Sequence, residues 1–266
     1  YRGLYLKKSL ENIQENAPKR FGLFLNIDFE SIDDINFEEK QVALIDSAYA
    51  RGVMGLKVYK TLGLTSRDLN GNRIAVNDLR LDPIWKACGD NNIPVLIHSA
   101  EPESFWKPKD KFNERWLELR QKPSRYRDPA INPSFEEVLA EQHDIFKKHP
   151  NTTFINAHLG WMGNDLDRLE THLDTYPNVM TEIGAVLAEL GRQPKRARSF
   201  FIDYQDRILF GKDSYKVSEY HTYFRVLETD DEYFDYYRKR HAHWNCLLYT
   251  SDAADDSLRV DLGGRR

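Results

Sequence analysis

Three polar side chains stand where apolar runs end. His98 closes PVLIH (94–98), His158 closes TTFINAH (152–158), and Asp213 follows RILFGK (207–212). A buried parallel strand delivers its last residues to the sheet rim, where α/β barrels build their active sites. Two neutral imidazoles and one carboxylate form a donor set for Zn²⁺ or a similar divalent ion, with ligands at about 2.0–2.2 Å. Such an ion lowers the pKa of a bound water toward about 7 and polarises a substrate carbonyl. One histidine at a strand end is more often a hydrogen-bonded structural residue; three such endings in one chain favour a shared site. Asp213 lies in the short turn GKDS (211–214), which suits an exposed carboxylate.

The elements that must carry these residues alternate between apolar β-type runs and helical runs. The pattern predicts strands over 21–29, 53–60, 94–98, 152–158, 178–185 and 207–213. Helices are predicted over 37–51, 81–91, 133–148, 165–176 and 193–204, with Asp82-Pro83 and Asn132-Pro133 as start signals. Aromatic residues mark a further helical region ending near Trp244. Buried strands alternating with helices imply a parallel sheet. A doubly wound sheet and a (β/α)₈ barrel both fit; the barrel needs eight strands, and six are legible. The stretch 99–132 is too long for an ordinary connection, which makes it a functional lid or a small insertion. No GxGxxG or P-loop pattern follows any strand, which argues against a nucleotide-binding doubly wound protein.

Bulk composition narrows the partners. The 266 residues begin at Tyr1 and carry a net charge of −4. That balance gives no reason to expect nucleic acid or an anionic membrane as partner. No apolar run approaches the roughly 20 residues a membrane helix needs. Two cysteines, Cys88 and Cys246, are too few for a thiolate cluster, so a metal here must use nitrogen and oxygen ligands. A small-molecule substrate is the expected partner, a homo-oligomer is compatible, and the compartment is left open. Residues 246–266 break the style of the preceding chain and are expected to be a non-native or disordered tail, leaving 1–245 as one catalytic domain.

The segments GLKVYK (55–60), IPVLIHSAEP (93–102), FINAHLGW (154–161), MTEIGAVLAELGRQP (180–194) and RILFGKDSY (207–215) resemble the amidohydrolase superfamily. The likeness is to its amidohydrolase-related metal-dependent hydrolases, which include small decarboxylases, and it runs to about Trp244. The resemblance implies a (β/α)₈ TIM barrel, here incomplete at the N-terminus with about six strands. It implies metal ligands from an HxH pair on the first strand, then His98, His158 and Asp213 on the fifth, sixth and eighth. No histidine precedes His98, so the first two strands and their pair are expected to be missing. His241-Ala-His243 does not replace that pair, because alternate residues of a helix face apart.

On this resemblance one divalent ion, zinc, is expected, with Asp213 as catalytic proton shuttle. The expected reaction is hydrolysis of a C–N or C–O bond in a small, carboxylated or aromatic substrate. The alternatives are non-oxidative decarboxylation on the same scaffold and an inactive barrel fragment; weak metal binding and little turnover are expected of the chain as it stands. Lys57 on the fourth strand and Glu182 on the seventh are further metal or substrate candidates, each equally readable as structural. Glu101, Trp106, Arg115, Trp161 and Arg192 lie on rim segments and are the expected substrate-binding residues.

Overall fold

The computed structural model describes residues 2–229, 231, 234–235 and 247–248. In chain order the elements are α1 (Gly3–Asn16), β1 (Phe24–Leu25), α2 (Phe37–Ala50), β2 (Gly55–Val58), α3 (Thr61–Leu64), α4 (Asp82–Asp90) and β3 (Val95–Ile97). They continue with α5 (Trp116–Gln121), α6 (Phe135–Lys148), β4 (Phe154–Asn156), α7 (Leu166–Thr175), β5 (Val179–Glu182) and α8 (Leu187–Gly191). The series ends with α9 (Pro194–Asp203), β6 (Ile208–Leu209), α10 (Val217–Glu228), β7 (Phe234–Asp235) and β8 (Leu247–Leu248). Strands β1 to β6 form one sheet in sequence order, and every pairing seen in it is parallel. Sequential order with a helix between successive strands is the β-α-β repeat that the alternating pattern implies.

The chain divides into two compact units. The first contains residues 1–100, 133–156 and 176–179; the second contains 101–132, 157–175 and 180–266. In the first, the apolar strand residues Leu25, Leu56, Val58, Val95, Ile97 and Phe154 are fully buried. Trp85 of α4 is buried as well and meets the Phe29 ring at 6.1 Å. Helix α6 shows complete end chemistry. Ser134 Oγ accepts from the Glu137 amide at 3.1 Å, Glu136 and Glu137 fill the first turn, and Lys147 and Lys148 fill the last. The cap is thus Ser134 rather than Asn132-Pro133, because a hydroxyl one residue before the helix reaches the orphan amide.

Asp82 likewise lies inside the first turn of α4 rather than capping it, and its carboxylate reaches Lys148 and His149, the latter at 3.0 Å. Arg73 clamps Glu141 with contacts of 2.8 and 2.5 Å, tying the loop after α3 to α6.

In the second unit, Leu159, Leu169, Leu173, Leu187, Phe200 and Tyr223 are fully buried. The stretch between β3 and α6 is a folded insertion with its own polar centre, not a bare loop. Asn113 Nδ2 donates to the carbonyls of Ser104, Lys107 and Pro108 at 2.8, 3.3 and 3.0 Å. Asn113 Oδ1 accepts from the Arg115 amide at 2.9 Å, so one buried side chain closes the turn from both ends. Strands β7 and β8 pair antiparallel. His241 and His243 lie outside the described residues, as does the expected tail apart from β8.

The strands are shorter than the apolar runs predict. The run 21–29 keeps two ladder residues, and His98, His158 and Asp213 all lie beyond the last paired residue of their strands. Left-handed backbone explains where pairing stops. Ala100, His158, Leu159, Trp161, Ala185 and Asp213 have φ between 54° and 61°, immediately after β3, β4, β5 and β6. A ladder cannot continue through that conformation, so each chain turns sharply at the C-terminal rim.

Candidate metal and substrate site

The second unit assembles a polar cluster around Glu182. Its Oε1 accepts from the His158 amide at 2.7 Å, and its Oε2 accepts from the Gly184 amide at 2.6 Å. The carboxylate therefore straps the end of β5 to the left-handed turn 158–161. Its neighbours must be glycines. A Cβ at Gly211 would fall 1.7 Å from Glu182 Oε2, and one at Gly184 would fall 2.6 Å from the same oxygen. Glu182 thus serves the backbone, which favours the structural of its two sequence readings.

His158 is 3 % exposed, and its orientation is fixed. Nδ1 lies 2.6 Å from the Gly184 carbonyl oxygen. A carbonyl can only accept, so Nδ1 carries the proton and donates. In the neutral ring Nε2 then holds the lone pair. A backbone carbonyl orienting the far nitrogen is how metal-ligating histidines are commonly held. The Trp161 ring packs over the imidazole at 4.7 Å between centroids. The Tyr223 hydroxyl accepts from the Ala185 amide at 3.1 Å, fixing the turn after Gly184. Asp213 is exposed, as its turn predicts, and its φ of 59° aims it off the line of β6.

The other candidates separate by unit. His98 is half-buried in the first unit, where its amide donates to the Val58 carbonyl at 3.0 Å. Lys57 is half-buried there too. It lines a cavity of about 670 Å³ with Asn26 and Tyr59, and its Nζ lies 5.5 Å from the Tyr59 ring. Among the described residues no three His, Cys, Asp or Glu side chains gather closely enough to hold an ion. The donors fit a divalent ion in kind, through the Nε2 lone pair of His158 and the open carboxylate of Asp213.

Of the expected substrate residues, Arg115 is committed elsewhere. Its guanidinium is 8 % exposed and contacts Glu189 Oε1 at 2.5 Å and Glu118 Oε2 at 3.2 Å. Burial alone would lower its pKa, but the Glu189 and Glu118 carboxylates outweigh that and raise it. Glu101 is buried against Arg127 at 3.2 Å, and Arg192 donates to Glu114 at 2.7 Å. Trp106 is half-buried in the insertion. Sequence reasoning did not single out Gly184, Gly211, Ser104 or Glu189. For the first, the i, i+2 spacing of Glu182 and Gly184 was the available signal.

The amidohydrolase family's sequence profile matches residues 15–242. The chain belongs to the amidohydrolase family. Solved structures of α/β barrels align with it at low identity. A dihydroxybenzoic acid decarboxylase from Polaromonas sp. JS666, solved with manganese and 2-nitroresorcinol, has a TM-score of 0.54 at 14% identity, covering 83% of this chain and 67% of its own. A 2,6-dihydroxybenzoate decarboxylase complexed with 2,6-dihydroxybenzoate has a TM-score of 0.50 at 16% identity, covering 79% and 64%. An uncharacterized TIM-barrel protein from Bordetella bronchiseptica has a TM-score of 0.46 at 16% identity, covering 77% and 58%. The chain therefore spans about three-fifths of the length of these structures. No match is found among curated proteins. This amidohydrolase has an α/β fold of the TIM-barrel type, built on six parallel strands in one sheet.

Proposed function

We propose that this amidohydrolase carries part of the active site of a metal-dependent, non-oxidative decarboxylase acting on a small carboxylated aromatic substrate. The observation that supports the reading most directly is the fixed tautomer of His158, whose Nδ1–H donates to Gly184 at 2.6 Å and leaves Nε2 as a ligand. The residues of the second unit that would hold one divalent ion are His158 and Asp213. When bound, such an ion supplies positive charge against a carboxylate or phenolate oxygen. The chain's own groups do the rest. Glu182 and Gly184 hold the imidazole rigid, Trp161 covers its ring face, and Asp213 offers an exposed carboxylate that can take up and return a proton.

Lyase chemistry is favoured over the hydrolysis expected from sequence because the two solved structures described above with TM-scores of 0.54 and 0.50 are decarboxylases of hydroxybenzoic acids. One of them was solved with manganese, which favours Mn²⁺ over the expected zinc as the first ion to try. The test is trapping of CO₂ from 2,6-dihydroxybenzoate in the presence of Mn²⁺, with p-nitrophenyl acetate as the hydrolytic control. Slow CO₂ release above background is expected, falling by about a hundredfold or more in Asp213→Asn. Ester hydrolysis with no CO₂ release would overturn the lyase reading.

A further inference from the structure

The chain leaving β6 packs on two different neighbours in turn. Gly211 lies against Glu182, and a Cβ at Gly184 would fall 3.1 Å from the Asp213 amide nitrogen. These two residues therefore run along the Glu182–Gly184 strap that orients His158. Phe210 and Lys212 meet α10 instead. The Phe210 ring centroid lies 5.7 Å from that of Tyr223 and 5.8 Å from that of Phe224. Lys212 Nζ donates to Glu219 Oε2 at 2.6 Å and lies 5.2 Å from the Tyr223 ring centroid. Both charged side chains are buried, at 5 % and 9 % exposure.

Stability alone does not account for such a pair. Two ions taken out of water lose their hydration, and apolar side chains of similar volume commonly hold a fold as well or better. What the pair adds is a fixed register, since neither charge can slide without stranding the other. The next residue is the one in need of fixing. The Ser214 amide donates to the Lys212 carbonyl at 2.6 Å, closing a three-residue turn with Asp213 at its centre and a φ of 59°. A γ-turn with a positive central φ is rare and strained. Strain of this kind persists only where the surroundings over-determine it. Lys212 provides the carbonyl that closes the turn, and its side chain is pinned to α10. Glu219 also meets the chain beyond the turn, where its Oε1 lies 3.7 Å from the exposed Lys216 ammonium. One buried carboxylate thus receives the chain on both sides of Asp213.

We propose that Lys212 and Glu219 are positioning residues, whose buried ion pair holds the turn that presents the Asp213 carboxylate. This role rests on the reading of Asp213 given above as ligand and proton carrier; the order of the turn itself can be measured without metal.

The test is the double variant Lys212→Met with Glu219→Leu, which removes both charges and strands neither. Its melting temperature should stay near that of the native chain. Backbone order parameters from NMR relaxation of the metal-free protein should be about 0.85 at Asp213 and Ser214 in the native chain and below about 0.6 in the variant. Mn²⁺ affinity, read from the electron paramagnetic resonance of the free ion, should fall about tenfold, as when the support of a ligand is removed. Glu219→Gln keeps an acceptor for Lys212 and removes only the charge; it gives the same readings should the double variant fail to fold. Native order at Asp213 and Ser214 in a folded variant would overturn the proposal, as would lost order with native Mn²⁺ affinity. Asp213→Asn separates the two levels. Its Mn²⁺ affinity should fall at least as far, and a native affinity there would refute the ligand reading of Asp213 and the positioning role with it.

Discussion

A methyl group added at Gly211 would fall 1.7 Å from Glu182 Oε2, a separation no packed structure tolerates. That carboxylate holds the amides of His158 and Gly184, so displacing it releases the turn that orients the imidazole. Gly211→Ala is expected to lose about 1–3 kcal/mol of stability by overpacking, read from urea unfolding with an unchanged m-value. A loss too small to measure would mean that Glu182 can move aside freely and does not fix His158.

Cys88 offers a second residue-scale check in the first unit. Burial pushes its thiol from an ordinary value of 9.0 up to about 12. The folded pKa is the raised one, so between those values the unfolded chain binds fewer protons than the folded chain. Stability from this group is therefore full below about pH 9 and is lost as pH rises toward about 12. Native Cys88 should resist a disulfide reagent at pH 8 and react only on unfolding; rapid modification of the native protein at that residue would contradict its burial.

At the scale of elements, Arg115 joins the insertion to α8 through Glu189 while holding Glu118 of α5. Removing one partner of such a set leaves buried charge uncompensated, which typically costs about 3–5 kcal/mol. Arg115→Met should show a loss of that order in chemical denaturation. Arg115→Met combined with Glu189→Leu should recover part of it, because the second change removes a stranded carboxylate. Additive losses in the double variant would show that the two side chains do not act as a pair.

The same elements show what the sequence carried. Helices α2, α4, α6, α7 and α9 were legible from apolar spacing, and the six strands from their apolar runs. Strand ends were overextended because left-handed residues at the rim stop the ladder without leaving a compositional mark; His158 and Asp213 are themselves such residues. His158 was legible as a candidate from its place after an apolar run. The Glu182 strap was not, because it depends on two glycines, Gly184 and Gly211, brought together only by the fold. Arg115 looked like a substrate arginine because sequence shows charge but not the two distant or near carboxylates that consume it.

At the scale of the whole molecule, the question is whether a divalent ion stabilises the folded chain. No helix among the described residues is long and apolar enough to cross a membrane. An ion that binds the folded state alone adds RT ln(1 + [L]/Kd), about 2.7 kcal/mol at a hundredfold excess over Kd. The melting temperature should therefore rise with Mn²⁺ concentration. Each of His158→Ala and Asp213→Asn should flatten that dependence while leaving the metal-free melting temperature within the range of ordinary surface changes for the exposed Asp213. Retention of the full Mn²⁺ response in both variants would locate the ion elsewhere on the chain. A melting temperature indifferent to Mn²⁺ and Zn²⁺ up to millimolar levels would remove the metal from the proposed chemistry, and with it the role given to the lone pair of His158.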